Sequence, residues 1–317
     1  MDSENGLCDE LLEEILGRLQ SFSELNSVGQ VCKRWLSIHR RNKTTLGLRL
    51  PDPSLSLSSL LSHSPYLTTL RIVPEDLSTC SSIASDCGVA NNCAYLKELR
   101  FLASPVSPSS LEVLATGCVS LASLKILGFG PLCFRFDHGD QFAEANLPLE
   151  KLCLTGIGPA DLGLGWLWRS CRKLQKLQLC SCAGTGDTAS SSFINCLPGL
   201  REIELRTCRT IAGRVLHHVA ENCGSQGLFH VIRQCKTLQI LDLRLPLDLD
   251  DAGLSVIAQN CRELRILRLY SWSSLKENWG YKLLWGQHFE LLKKLDLSYN
   301  DGLVDNELMS MLVSNNS

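Results

Sequence analysis

Cys261-Arg-Glu-Leu264-Arg-Ile-Leu267-Arg-Leu269 is the stretch on which the fold turns, because its spacing returns along most of the chain. Written as C-x-x-L-x-x-L-x-L, it recurs from Cys93, Cys118, Cys171 and Cys235. A copy with one extra residue starts at Cys196, another has Phe289 in place of the cysteine, and weaker copies surround Leu70 and Leu152. Aligned on the central residue, the copies give Leu70, Leu99, Leu124, Leu152, Leu177, Ile203, Leu241, Leu267 and Leu295, in steps of 29, 25, 28, 25, 26, 38, 26 and 28. A period of this size is the signature of stacked structural repeats. Within each unit the L-x-L alternation sends two side chains to one face of a short strand. The chain turns at a residue three further on, occupied by Cys182, Cys208 and Asn300. A return helix then ends in a run such as Leu114-Ala-Thr-Gly-Cys118 or Ile257-Ala-Gln-Asn-Cys261. One unit cannot bury its apolar face, so the pattern predicts stacked units sharing one core and one parallel sheet.

The chain has 16 cysteines and no C-x-x-C pair, the closest spacing being Cys180-Ser-Cys182. Zinc-site spacing is therefore absent. The cysteines keep step with the leucines, which marks them as small buried apolar side chains. The opening MDSENGLCDE is acidic and polar, unlike a secretory leader. No apolar run approaches the roughly 20 residues that span a bilayer. Both observations predict a protein of the nucleus or cytoplasm with reduced thiols. Hydrophobic residues at 44% and charged residues at 20% describe a folded protein, and a net charge of −2 gives no global pull toward nucleic acid or membrane.

Gly156-Ile-Gly158 and Gly163-Leu-Gly165 lack the spacing of a nucleotide loop. His217 and His218 are adjacent in a helical stretch, so they face different directions and do not form a metal pair. Trp166, Trp168, Trp272, Trp279 and Trp285 read as packing residues. No catalytic residue, metal or cofactor is expected.

The repeat resembles the cysteine-containing class of leucine-rich repeats over residues 61–317, about nine units. Asp250-Asp-Ala-Gly-Leu254 is similar to that class's strand-to-helix segment, and Asp305-Asn-Glu-Leu308 is a looser match. Two departures stand out. The 38-residue step, irregular over 209–237, holds two helix endings, at Cys223 and Cys235, with no strand between them. The chain also stops at Ser317, where the pattern calls for a helix, and this reads as a shortened C-terminal end.

Ahead of the repeats, residues 4–45 read as a helical module and 46–60 as a linker. Leu7, Leu11, Leu12, Ile15, Leu16 and Leu19 line a helical stripe, with Glu10, Glu13, Glu14 and Arg18 around it. Leu25 and Val28, then Val31, Trp35 and Ile38, mark two further short helices. So small a cluster needs a partner surface or the repeats to cover it. Leu7-Cys-Asp-Glu-Leu11-Leu-Glu-Glu-Ile15-Leu-Gly-Arg-Leu19, followed by Val31-Cys-Lys-Arg-Trp35, resembles an F-box, with Cys8 where that family usually carries proline.

An F-box ahead of leucine-rich repeats resembles the F-box/leucine-rich-repeat family. The resemblance implies an α/β chain: a helical F-box, then a curved solenoid with its parallel sheet on the concave face. It also implies a non-catalytic substrate-receptor subunit of a Skp–cullin–F-box ubiquitin ligase. The F-box would dock on a Skp-type adaptor, and through it on a cullin–RING scaffold, using Leu7, Leu11, Ile15, Leu16, Leu19, Val31 and Trp35. The repeats would hold the protein to be ubiquitinated, with Arg206, Arg244, Arg268 and Tyr270 on the concave face as a candidate grip for an acidic or phosphorylated segment. The competing and favoured reading of those four is a solvated charged face in which Glu204 and Asp242 already neutralise the arginines. A free-standing scaffold or inhibitor with a helical N-terminal cap is the alternative. A small-molecule sensor built from the same two modules is a third reading.

Overall fold

The structure is a computed structural model, and it describes residues 7–19, 22–50, 57–74, 88–102, 108–127, 146–156, 165–182, 198–207, 232–244, 251–270, 289, 291–296 and 298. Three helices come first: α1 (Asp9–Gly17), α2 (Phe22–Val31) and α3 (Lys33–Arg41). A ten-stranded sheet follows, made of β1 (Thr45–Leu50), β2 (Thr69–Pro74), β3 (Glu98–Leu102), β4 (Ser123–Leu127), β5 (Lys151–Thr155), β6 (Lys176–Cys180), β7 (Glu202–Arg206), β8 (Ile240–Arg244), β9 (Ile266–Tyr270) and β10 (Lys294–Asp296). Every neighbouring pair is parallel, and spatial order equals chain order. The described helices between strands are α4 (Leu57–Leu61), α5 (Gly88–Asn92), α6 (Pro108–Gly117), α7 (Gly165–Ser170) and α8 (Asp251–Asn260). The result is an open α/β solenoid.

The register follows the leucines. Leu70, Leu99, Leu124, Leu152, Leu177, Ile203, Leu241, Leu267 and Leu295 pair in succession across nine strands. Burial explains why: a one-residue slip would turn each L-x-L pair out of the core. One backbone device repeats at the foot of each strand. A single carbonyl accepts two successive N–H groups of the next repeat, as Lys97 does from Ala122 and Ser123 at 3.0 and 2.9 Å, and Arg265 from Lys293 and Lys294 at 2.8 and 3.0 Å. The ladder continues across the 38-residue step, where Gln239 and Ile240 donate to the Arg201 carbonyl at 2.7 and 2.9 Å. β7 thus pairs directly with β8; residues 208–231, including Cys208 and Cys223, lie outside the described residues.

The sheet starts earlier than the repeat spacing predicts. β1 falls largely within the stretch read as a linker, and it pairs with β2 at six positions, Leu46 opposite Leu70 and Leu48 opposite Ile72. Leu46 and Leu48 pack on the core, and α4 buries Leu57 and Leu61 in it. Leu46-Gly-Leu48-Arg-Leu50 has the strand alternation, but no cysteine-bearing helix ending precedes it.

One apolar core runs from Leu57 to Leu269 between the sheet and its helices. Cys93, Cys118, Cys171, Cys235 and Cys261 are fully buried in it. Each sits at a helix end, its N–H bonded back into the helix, as in Cys118 to Leu114 at 2.8 Å. Burial pushes the thiols up, to about 11 for Cys93 and about 12 for Cys118, Cys171 and Cys261, so they stay protonated and apolar. Trp166 and Trp168 are buried in the same core, while Trp272, Trp279 and Trp285 lie outside the described residues. No described helix is long and apolar enough to cross a membrane.

Candidate interaction surfaces

The N-terminal helices form a second core of their own, built from Leu12, Leu16, Val28 and Ile38 with Leu19 and Trp35 packed against it. Local sequence explains how they assemble. Asp9 and Glu10 stand in the first turn of α1, where the helix dipole favours negative charge. Glu10 accepts its own backbone N–H and the Cys8 thiol, which lower its carboxyl. Cys32 caps α3, its sulfur accepting the Trp35 N–H at 3.5 Å. Arg34 ties α3 to α1: Nε donates to Asp9 Oδ1 at 2.9 Å and Nη2 to the Leu7 carbonyl at 2.6 Å. Arg41 reaches the other Asp9 oxygen at 3.3 Å. Arg34, then Arg41, hold the Asp9 carboxyl below its ordinary range.

This packing divides the leucines of α1 between two faces. Leu12 and Leu16 point inward, 1% and 5% exposed. Leu11 and Ile15, spaced at four residues and so on one side of the helix, are 48% and 43% exposed; Leu7, just ahead of α1, is 47% exposed, and Val31 at the end of α2 is 56% exposed. A cap shielding the repeats would bury such a stripe; here it faces outward.

The second surface is the face of the sheet turned away from the core. Its C-terminal half carries Arg206, Arg244, Arg268 and Tyr270, and the structure does bring them together. They are already engaged. Asp242, 2% exposed, takes a fork from Arg244 at 3.0 and 3.2 Å and a bond from Arg268 at 3.2 Å. The Arg244 guanidinium lies 4.7 Å from the centre of the Tyr270 ring. Tyr270 donates its hydroxyl to Asp296 at 2.7 Å, and Arg206 is paired with Glu204.

Two further features sit at the middle of this face. The Cys153 thiol donates to Cys180 on the next strand. That bond, then the Arg206 and Lys125 charges, lower Cys180 to about 7 against the opposing pull of burial and Glu204, while Cys153 is pushed up. At the strand end, Gly156, Ser181 and Thr207 occupy equivalent positions with φ of 77°, 51° and 54°. Cys182 then turns in, its thiol reaching the Leu154 and Cys180 carbonyls at 3.8 and 3.3 Å. This is the turn role its spacing predicts.

Residues 5–43 match the F-box domain family. The helical module is an F-box. Among solved structures, the chain is similar to an internalin from Listeria monocytogenes, with 15% identity and a TM-score of 0.42 over 96% of this chain and 92% of that one. A likeness of that degree adds nothing to the strand order already described.

With the F-box in place, the seven residues expected at its docking surface separate. Leu7, Leu11, Ile15 and Val31 are exposed, Leu16 belongs to the F-box core, and Leu19 and Trp35 are half-buried against that core. Helical spacing groups Leu16 with Leu11 and Ile15, because it reveals a stripe and not which of two adjacent stripes turns inward. The Cys153–Cys180 contact escaped sequence reading altogether. It joins residues of adjacent repeats that are offset by two, so it appears only once the register is known.

Proposed function

We propose that this chain is the substrate-receptor subunit of a Skp–cullin–F-box ubiquitin ligase, acting in the nucleus or cytoplasm. Its F-box docks on a Skp-type adaptor through Leu7, Leu11, Ile15 and Val31, and its repeats hold the protein to be ubiquitinated. The observation that carries this reading is the exposed aliphatic stripe of α1 on a module that matches the F-box family. Burying what remains exposed of each side chain would contribute roughly 1 kcal/mol before association costs. The chain has no chemistry to perform in this role. It raises the local concentration of a target beside the ubiquitin-transferring subunits.

The test is co-purification with a Skp-type adaptor. The native chain is expected to retain it, and Leu11→Asp with Ile15→Asp to lose at least about tenfold in affinity while keeping native helicity, because both side chains lie outside the core. Equal retention by the double variant would overturn the docking assignment. No retention by the folded native chain would overturn the ligase reading and favour a free-standing scaffold.

A further inference from the structure

The open face of the sheet is divided by charge. On β1 to β6 its outward positions carry Arg49, Arg71, Arg100, Lys125, Lys151 and Lys176 against a single carboxylate, Glu98. On β7 to β10 the same positions hold four cations, Arg206, Arg244, Arg268 and Lys294, and four carboxylates, Glu202, Glu204, Asp242 and Asp296. The whole chain is slightly acidic at −2, so the basic half is a local concentration.

Engagement is divided in the same way. In the acidic-balanced half the arginines sit on buried or half-buried carboxylates. In the basic half, Arg100 pairs with Glu98 at 2.6 Å and Lys176 with Glu202 at 2.5 Å. Arg49, Arg71, Lys125 and Lys151 have no carboxylate partner among the described residues. In the next row along the strands, level with Arg49, stand Val73 and Leu127, both half-buried, and Thr155.

We infer that the β1–β6 half of the open face binds an extended, carboxylate-rich peptide segment with interspersed aliphatic residues. The inference rests on the reading that the repeats receive a protein, and it names the chemistry of that protein's recognised segment. Strands about 4.8 Å apart put β2 and β6 about 19 Å from each other across the face, the reach of about six extended residues. Carboxylates on such a segment meet the uncommitted cations, while its aliphatic side chains lie on Val73 and Leu127. Nucleic acid is the poorer fit: the outward positions of β1 to β6 hold no aromatic side chain on which a base could stack. Phosphate is also less well served, since forked arginines recognise it best and lysine supplies two of the four free charges.

The experiment uses the full chain with its Skp-type adaptor and a fluorescent ten-residue peptide of alternating Glu and Leu, read by anisotropy. The native chain is expected to bind it, more weakly as salt is raised from about 50 to about 500 mM. Arg71→Glu, Lys125→Glu and Lys151→Glu together are expected to weaken binding at least about tenfold. Lys173→Glu, in an exposed turn off this face, is expected to leave it unchanged. Failure of the Glu–Leu peptide to bind, equal binding of a Lys–Leu peptide, or an unchanged affinity in the triple variant would overturn the assignment. Tighter binding of oligo-dT would overturn it in favour of nucleic acid. Adaptor retention is measured on the same preparations. Its loss in the native chain counts against the ligase reading, and the peptide arm still decides the surface.

Discussion

Asp242 shows how one residue redirects a surface. It occupies an outward strand position, yet two arginines close over it and leave it almost fully buried. A carboxylate so placed is stable only while its partners stay, because removing one leaves a buried charge uncompensated. Arg244 and Arg268 are therefore internal ligands of Asp242 as much as a grip for a partner. The composition of the strands makes the arginines and the neutralising Glu204 and Asp242 legible; the near-complete burial of Asp242 depends on rotamers that sequence does not fix. Cys180 is the other residue whose behaviour follows from a neighbour. With its thiol lowered to about 7, its alkylation by iodoacetamide is expected to accelerate as pH rises through about 7. Below that pH the thiol is protonated and slow; above it the reactive thiolate predominates. Cys153→Ala removes the donated bond, so labelling of Cys180 at pH 7 is expected to slow several-fold. Peptide mapping by mass spectrometry separates it from the exposed Cys8 and Cys32, and Cys93, Cys118, Cys171 and Cys261 are expected to stay unlabelled in the native state. Labelling of Cys180 that is indifferent to Cys153 would dismiss the pairing.

Elements were legible where their signal was local and repeated. The strand register could be read because burial forces each L-x-L pair into the same layer, and the leucine spacing records that demand. β1 escaped because its alternation is short and the cysteine-bearing helix end is missing before it. α1 was readable as a helix, but its two leucine stripes differ only in which one meets Val28 and Ile38, a tertiary fact. Gly117 is a comparable case. In the run before Cys118 it looks interchangeable with the Asn92 and Asn260 of other repeats, yet α6 approaches α5 closely there. A Cβ on Gly117 would stand 2.5 Å from the Ala90 carbonyl oxygen and 2.6 Å from its Cβ. Gly117→Ala is therefore expected to destabilise the solenoid by about 1–3 kcal/mol. At Gly17, the last residue of α1, nothing lies within 4 Å of the same added atom. Gly17→Ala is expected to be neutral or stabilising by about 0.4–1 kcal/mol, since there it only restricts the unfolded chain. The urea midpoint of Gly117→Ala is expected to fall and that of Gly17→Ala to hold or rise, and a Gly117→Ala midpoint at or above the native value would remove the close-packing argument.

Among the described residues the molecule has two apolar cores joined by a short segment. The F-box cluster of Leu12, Leu16, Val28 and Ile38 shares no member with the cluster that runs from Leu57 to Leu269. Between Arg41 at the end of α3 and Thr45 at the start of β1 there are only three residues, and the Thr44 carbonyl already accepts Thr68 and Thr69 N–H groups at 2.8 and 3.0 Å. The last F-box helix thus leads straight into the first rung of the sheet, while among the described residues each part keeps a buried apolar cluster of its own. In a stacked array stability is nearly a sum of neighbouring terms, so damage confined to one end need not reach the middle. Leu16→Asp places a charge in the small core and costs more than so few apolar contacts can offset. Hydrogen exchange on the full-length variant is expected to show α1 and α3 amides losing protection, with β3 to β9 strand amides retaining theirs to within about threefold. The β1 and β2 amides, nearest the junction, are expected to fall between. Were the strands from β3 to β9 to lose protection as fully as α1, the F-box and the repeats would have to be one cooperative unit, and the F-box would be a structural end-cap as well as a docking module.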